Sequence, residues 1–180
     1  MSDWISKNNW LTQSEQENNA LLVWDFFSGY GWTLEAVAAM LGNLQSESNI
    51  NPGIWENLEP FTGGYGLVQW TPYTKYSEWA GEDWQDNGPR ECARVIYELE
   101  NNLQWISTSE YPMSFSEFVE STVDPAELAQ AWLYNYERPS SLDQPWRSTQ
   151  ALAWYEFLGG IPPVKQIPIW LLFQFKRRLT

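Results

Sequence analysis

The sequence predicts a mainly helical α+β domain that carries one small β-hairpin. Two observations favour this fold class. Apolar residues recur at helical spacing in seven segments, whereas only the segment around 61–71 combines glycines with the alternation of a short strand. A chain of 180 residues can bury one core of substantial size. In chain order, we expect helices at about 15–29, 33–47, 74–81, 89–105, 114–121, 125–137 and 145–158.

Residues 33–47 have the strongest helix signal. Thr33 can accept a hydrogen bond from a backbone N–H that has no partner in the first turn. No charged residue occurs between Glu35 and Glu47, and both faces are largely apolar or small, which is typical of a core helix. The sequence Asn51-Pro52-Gly53 then prevents the helix from continuing. Glu47 is therefore predicted to lie at the exit of a buried helix.

Later elements have boundary signals of their own. The segment 62–72 is rich in glycine, which permits positive φ angles and close approach of a ligand to the backbone. Strand alternation there would place Leu67 and Gln69 on the same face. Asp124 can cap the helix predicted at 125–137, and Pro125 suits its first helical position. We expect residues 48–73 to form a small lobe that faces the helices across a cleft.

Two interpretations of Glu47 follow from its position. A carboxyl at the exit of a core helix has little contact with water, and burial favours its protonated form, which is what a general acid in glycosidic bond cleavage requires. In the other interpretation Glu47 is a surface carboxylate in a loop, since an unusual environment marks a functional site only in some cases.

The order of these motifs resembles that of the lysozyme superfamily. A helix ending in Ser46-Glu47-Ser48, then a proline loop, then Gly66-Leu67-Val68-Gln69 is similar in outline to goose-type lysozymes and lytic transglycosylases. The chain resembles most closely the phage tail lysozyme family, found in tail-tip or tail-knob lysins of phages that infect Gram-positive bacteria. Residues 31–53, 64–72 and 136–139 carry this resemblance.

The resemblance implies a lysozyme-like fold with a substrate cleft, and it implies that Glu47 is the catalytic acid. The implied substrate is the peptidoglycan glycan strand, cleaved at its MurNAc–GlcNAc bond by an N-acetylmuramidase at the tail tip of the virion. Other tail proteins are candidate partners. Two alternatives remain open, a lytic transglycosylase on the same bond and a non-catalytic glycan-binding tail module.

The hairpin and one helical residue are expected to contact the substrate. The resemblance places the Gly-Leu-x-Gln hairpin at the cleft floor, and Tyr136 would face the cleft from the other lobe. The thirteen tryptophans exceed ordinary usage, and those on helical stripes, Trp24, Trp132 and Trp154, are assigned to packing. Sugar contact and packing are both open for Trp55, Trp70 and Tyr65, which lie near the predicted cleft. The predicted substrate-binding residues are Tyr65, Gly66, Gln69, Trp70 and Tyr136.

The sequence leaves the second carboxylate of a glycosidase unassigned. Glu56 and Glu59 lie in the loop between helix and hairpin, and Glu78 and Glu137 are further candidates. For Glu137 a structural role is favoured, as an ion pair or a helix-end hydrogen bond. A single essential glutamate is also sufficient for a transglycosylase, so the sequence does not decide between the two reactions.

Composition excludes several classes of function. A net charge of −13 argues against nucleic-acid binding, because phosphates require a basic surface. The absence of histidine excludes Ser-His-Asp and Cys-His catalysis and most zinc sites, and we expect no metal and no cofactor. Cys92 is the only cysteine, which fits synthesis in a reducing host cytoplasm, and its position on an apolar helical stripe predicts burial. The N-terminus shows no secretory signal.

Two regions differ in character. Residues 1–160 are predicted to form the lysozyme-like catalytic domain, and Gly159-Gly160 ends its last helix. Residues 161–180 form a proline-rich linker followed by an apolar run and a basic cluster. That run is too short to span a bilayer, so no transmembrane segment is expected. It is predicted to dock on the domain, to dock on another virion protein, or to lead into a further domain.

Overall fold

The structure is a computed structural model that describes residues 3–159, and the predicted segment at 161–180 lies outside the described residues. Within 3–159 the chain forms helices and one two-stranded sheet. The elements are α1 (Gln13–Gly29), α2 (Leu34–Ser48), β1 (Trp55–Asn57), β2 (Thr62–Tyr65), α3 (Thr74–Ala80), α4 (Gly88–Glu100), α5 (Phe115–Glu120), α6 (Pro125–Trp132), a π-helical turn (Leu133–Glu137) and α7 (Trp146–Gly159). This mainly helical α+β arrangement confirms the predicted fold class.

Helix α2 lies in the centre of the fold. Its N-terminus is capped as predicted, since the backbone N–H of Ala36 donates to the Thr33 hydroxyl at 3.2 Å. Every residue from Ala36 to Leu44 is buried, which confirms the predicted core helix. The helix ends where Asn49 adopts a left-handed conformation with φ of 61°. No helix between residues 3 and 159 has the length and apolarity that crossing a membrane requires.

Helix α2 packs directly against the backbone of α7 at Gly42. A Cβ atom at this position would lie 2.6 Å from the backbone oxygen of Arg147 and 2.7 Å from the backbone nitrogen of Ala151. Both of these atoms belong to the backbone of α7, so they cannot move aside without displacing the helix. The missing side chain of Gly42 therefore sets the distance between the two helices and brings Arg147 next to α2.

The hairpin differs from its prediction. The strand signal was expected around 61–71, whereas β1 begins at Trp55 and pairs in antiparallel fashion with β2, with Trp55 opposite Tyr65. Residues 66–69 form a turn closed by a bridge between Tyr65 and Trp70. Positive φ angles at Gly66 (77°) and Gln69 (51°) reverse the chain there. The predicted strand alternation of Leu67 and Gln69 is therefore wrong.

Two helix ends also differ from the sequence prediction. Helix α4 ends at Glu100 because Asn102 adopts a positive φ of 53°, and Leu103, which was assigned to the apolar stripe, is 54% exposed. The helix expected at 125–137 changes to π-helical geometry after Trp132. The predicted burial of Cys92 is confirmed, and so are the packing roles of the tryptophans on helical stripes, Trp24, Trp132 and Trp154.

Replacing Gly42 tests the helix contact. Gly42→Ala should lower the free energy of unfolding by about 1–3 kcal/mol, because the added methyl group overlaps the α7 backbone. This is the net loss that remains after the gain of about 1 kcal/mol that alanine has over glycine in a helix interior. Urea unfolding measures the difference. Gly29→Ala is the matched control, because no atom lies within 4 Å of its added Cβ. Equal stability changes in both variants would contradict a close contact at Gly42.

Candidate active site

A cleft of about 380 Å³ lies between the C-terminal end of α2 and the hairpin. Its lining combines two carboxylates, two polar side chains and several apolar ones. Glu47 is the only lining residue from α2, and it is partly buried, with 21% of its side chain exposed. The described lining residues are Trp10, Glu47, Ile54, Trp55, Glu56, Leu58, Gln69 and Thr71.

Glu47 is held by an arginine that sequence reasoning missed. The Nη2 atom of Arg147 donates to Oε1 of Glu47 at 2.5 Å, and the Arg147 side chain is only 5% exposed. Arg147 is the second residue of α7, so it reaches Glu47 across the close contact at Gly42. The only sequence signal was a basic residue at the start of a helix in a strongly acidic chain.

Two further hydrogen bonds fix the guanidinium group of Arg147. Its Nη1 donates to Oδ1 of Asn43 at 3.0 Å, and its Nε donates to Oε1 of Gln144 at 2.6 Å. Asn43 is fully buried and donates to the backbone oxygen of Ala129 in α6 at 3.0 Å. Three helices thus determine the position of the cation, and the planar guanidinium in turn orients the Glu47 carboxyl.

Glu137 lies near enough to Glu47 to be affected by its charge. Its Oε1 accepts a hydrogen bond from the Trp132 indole at 2.8 Å. Burial raises the pKa of Glu137 well above its ordinary value, and the charge of Glu47 raises it further, while the Trp132 hydrogen bond and the Arg147 cation oppose the shift. The structural role expected for Glu137 takes the form of this side-chain hydrogen bond with Trp132. Within residues 3–159, Glu137 is not among the residues that line the cleft.

Gln69 lines the cleft and also stabilises the turn that carries it. Its Nε2 donates to the backbone oxygens of Gly66 at 2.9 Å and Ile54 at 3.2 Å. Gly66 is required by protein contacts, because a Cβ there would lie 2.5 Å from Oε2 of Glu91. The same carboxyl oxygen accepts the backbone N–H of Leu67 at 2.7 Å. A contact of Gln69 or Gly66 with substrate stays a prediction.

Three aromatic residues that were predicted at the site are buried instead. Tyr65, Trp70 and Tyr136 are 1%, 5% and 1% exposed, and none of them lines the cleft. Glu98 accepts the Trp70 indole N–H at 3.0 Å and the Tyr136 hydroxyl at 2.7 Å. Arg94 completes this group through its Nε, 3.0 Å from Glu98. The expectation that Tyr136 faces the cleft thus differs from the structure, because its hydroxyl pairs with a buried carboxylate.

Comparison with known proteins shows the family of the chain. The family model described as phage tail lysozyme matches residues 18–158, a range that contains α2, the hairpin and Arg147. The chain belongs to the phage tail lysozyme family. The resemblance inferred from the three sequence segments is therefore confirmed.

A curated relative of the chain is "Morphogenesis protein 1" of Bacillus phage B103. The two are 44% identical over 159 residues, which cover 86% of this chain and 43% of the relative. The chain therefore spans about two-fifths of the length of that relative. The remainder of the relative lies outside the alignment.

Replacing Glu137 tests whether its carboxyl group stays protonated in the folded protein. A folded-state pKa above the unfolded value near 4.3 means that the native state binds more protons in the interval between them, so stability falls as pH rises through that window. Glu137→Gln removes this loss while its amide oxygen can still accept the Trp132 N–H. The stability of the variant relative to the wild type should therefore increase from pH 4 to pH 7 in urea unfolding.

Glu117→Gln provides a control of opposite sign. Hydrogen bonds from Ser114 lower the pKa of Glu117, so its contribution to stability is present above the unfolded pKa and is lost as pH falls. This variant should lose stability relative to the wild type at pH 7 and recover towards it in acid. Parallel pH profiles for the Glu137 variant and the wild type would show that Glu137 is not held in its protonated form.

Proposed function

We propose that this domain is an N-acetylmuramidase that hydrolyses the MurNAc–GlcNAc bond of peptidoglycan. The single observation that carries the proposal is the position of Glu47, at the end of a buried helix, inside a cleft and oriented by a buried arginine. Membership of the phage tail lysozyme family supports peptidoglycan as the substrate. In this proposal the domain is part of a virion tail lysin that acts at the host cell wall during genome entry.

Glu47 is the proposed general acid. In its protonated form Glu47 donates its proton to the glycosidic oxygen, so that the leaving sugar departs as an alcohol and not as an alkoxide. The carboxylate that remains is stabilised by Arg147, which already lies within hydrogen-bond distance. Because Asn43 and Gln144 hold the guanidinium group, this stabilisation needs no rearrangement during the reaction.

Glu56 is the proposed second carboxylate. It lies on β1 and lines the same cleft as Glu47, whereas the other exposed candidates within residues 3–159, Glu59 and Glu78, do not line it. One oxygen of Glu56 accepts the backbone N–H of Gly64 at 2.8 Å, which fixes the orientation of the carboxylate. A second carboxylate on the opposite wall of the cleft is what hydrolysis by either stereochemical route requires.

A lytic transglycosylase on the same bond is the second candidate. It needs only one carboxyl group, which acts first as acid and then as base. Glu47, oriented by Arg147, suits that role equally well. A non-catalytic glycan-binding tail module is disfavoured, because binding alone does not require a carboxyl group inside the cleft at the end of a buried helix. The proposed partners beyond the glycan are other proteins of the phage tail, in keeping with the family description as phage tail lysozyme.

Digestion of purified Gram-positive cell walls separates these possibilities. Falling turbidity shows cleavage, and mass spectrometry of the products shows its type. Hydrolysis leaves a reducing muramyl end, whereas transglycosylation leaves an anhydro-muramyl end. Intact walls after prolonged incubation with the folded domain would refute both enzymatic proposals.

Glu47→Gln should abolish most of the activity. Acid catalysis contributes about 10²–10⁴-fold, and the wall-digestion rate should fall by that factor. The variant should also lose about 1–3 kcal/mol of stability, because Arg147 keeps a hydrogen-bond acceptor but loses its anionic partner. Rates are therefore compared at a temperature where circular dichroism shows both proteins to be folded.

Glu35→Gln is the matched control for that experiment. It makes the same substitution in the same helix, twelve residues and about 18 Å from Glu47 along the helix axis. Its activity should remain within about twofold of the wild type, which is a barrier change of only about 0.4 kcal/mol. Near-normal digestion by the folded Glu47 variant would refute the assignment of the acid.

Glu56→Gln distinguishes a two-carboxylate mechanism from a single-carboxylate one. The amide oxygen can still accept the Gly64 N–H, so the hairpin should be preserved. If Glu56 is the second carboxylate, the rate of wall digestion should fall by about 10²-fold or more. Glu59→Gln, an exposed residue of the same lobe, is the control and should leave the rate unchanged. A fully active Glu56 variant would favour the single-carboxylate mechanism.

A further inference from the structure

Trp10 is an exposed tryptophan on the edge of the cleft. It belongs to the segment before α1, and 60% of its surface is accessible, yet it lines the same cleft as Glu47. It precedes residue 18, where the match to the family model begins. Core packing therefore does not explain why a tryptophan stands at position 10, and the position lies outside the family match.

The segment around Trp10 is tied to the residues that follow Glu47. The side-chain amide of Asn51 donates to the backbone oxygens of Lys7 at 2.7 Å and Asn9 at 2.8 Å. The Oδ1 of Asn49 accepts the backbone N–H of Leu11 at 2.5 Å. These bonds hold the backbone on both sides of Trp10.

The same segment is also attached to the hairpin. The backbone N–H of Trp55 donates to Oδ1 of Asn8 at 3.1 Å, and the Asn8 amide nitrogen lies 3.4 Å from the backbone oxygen of Leu58. Leu58 lines the cleft and is 36% exposed. Two walls of the cleft therefore position the backbone that presents the Trp10 indole, which lowers the entropy lost when a ligand packs against it.

The chemistry of the cleft selects one class of ligand. Trp10 and Leu58 are exposed and apolar, while Gln69 and Thr71 provide amide and hydroxyl groups. The described lining residues include two carboxylates and no lysine or arginine, which disfavours an anionic ligand. A pyranose ring with N-acetyl groups fits this combination, because it has apolar C–H faces and polar edges and carries no charge.

We propose that Trp10 forms a sugar-binding subsite beside the catalytic carboxyl. The indole ring packs against the C–H face of one pyranose unit of an N-acetylated β-1,4-linked glycan, whose neighbouring bond lies at Glu47. This inference rests on the proposed function, and it extends the binding site to a residue outside the family match. Trp10 contacts substrate here and takes no part in proton transfer.

Isothermal titration with the neutral hexamer of β-1,4-linked N-acetylglucosamine tests the subsite. The parent protein carries Glu47→Gln, so that the ligand is not consumed. Adding Trp10→Ala should weaken hexamer binding about tenfold, as expected for truncation of an aromatic contact residue. Adding Trp10→Tyr should restore affinity to within about threefold of the parent, because a flat aromatic face remains.

Trp146→Ala is the matched control. Trp146 is 50% exposed on α7 and does not line the cleft, so its removal should leave hexamer affinity unchanged. In the protein that keeps Glu47, Trp10→Ala should raise KM for wall digestion and leave kcat unchanged, since only uniform binding is lost. The melting temperature should stay constant, because the Trp10 side chain is mostly exposed.

Three results would overturn the subsite, and they differ in what else they affect. Equal hexamer affinity of the parent and the Trp10→Ala variant removes the subsite and leaves the proposed function intact. The same conclusion follows if the domain digests walls but does not bind the hexamer. If the domain neither digests walls nor binds the hexamer, the proposed function fails and the subsite fails with it.

Discussion

The ion pair between Arg147 and Glu47 is the interaction on which the arrangement of the site depends. A buried arginine is stable only where its charge is compensated and its N–H groups have acceptors. Asn43, Gln144 and Glu47 provide those acceptors. These hydrogen bonds hold α2 and α7 in one relative position. The helices can pack that closely because Gly42 has no side chain.

The same requirement explains how carboxyl groups with different tasks occur within one domain. Glu98 is buried with Arg94, Trp70 and Tyr136, so its charge is compensated inside the core and ties α4 to the hairpin and the π-helical turn. Glu47 is the carboxyl that combines a cationic partner with access to the cleft. Both Glu98 and Glu47 are paired with an arginine, but only Glu47 of the two lines the cleft, so it is the one that can reach a ligand.

Asparagine side chains perform the corresponding task on the other side of the cleft. Asn49 and Asn51 follow directly after α2, and their amides bond to the backbone of the N-terminal segment. Chain reversal there uses left-handed conformations at Asn49 and Ile50, with φ of 61° and 56°. The turn that ends α2 just after Glu47 therefore also positions Trp10. The catalytic carboxyl and the exposed indole are both fixed relative to the same end of α2.

Local signals in the sequence were sufficient for most of the secondary structure and for the family. The Thr33 and Asp124 caps and the Pro52 stop each depend on neighbours in the chain, so the helix order followed from them. Glu47 could be selected because an uncharged helix leads directly to it. The strand at 55–57 was missed, because three residues carry too little periodicity to show a strand.

The sequence by itself determined the helices, the core position of α2 and the carboxylate at its end, because these follow from capping, periodicity and the exclusion of charge from a core. Only the tertiary structure decided which side chains surround that carboxylate. Arg147 lies a hundred residues away from Glu47 in the chain, and its role follows from a helix contact that no local pattern records. Tyr136 and Trp70 were predicted to contact substrate, but both are buried and donate hydrogen bonds to Glu98. The sequence alone does not distinguish an aromatic residue of a core from one of a binding site.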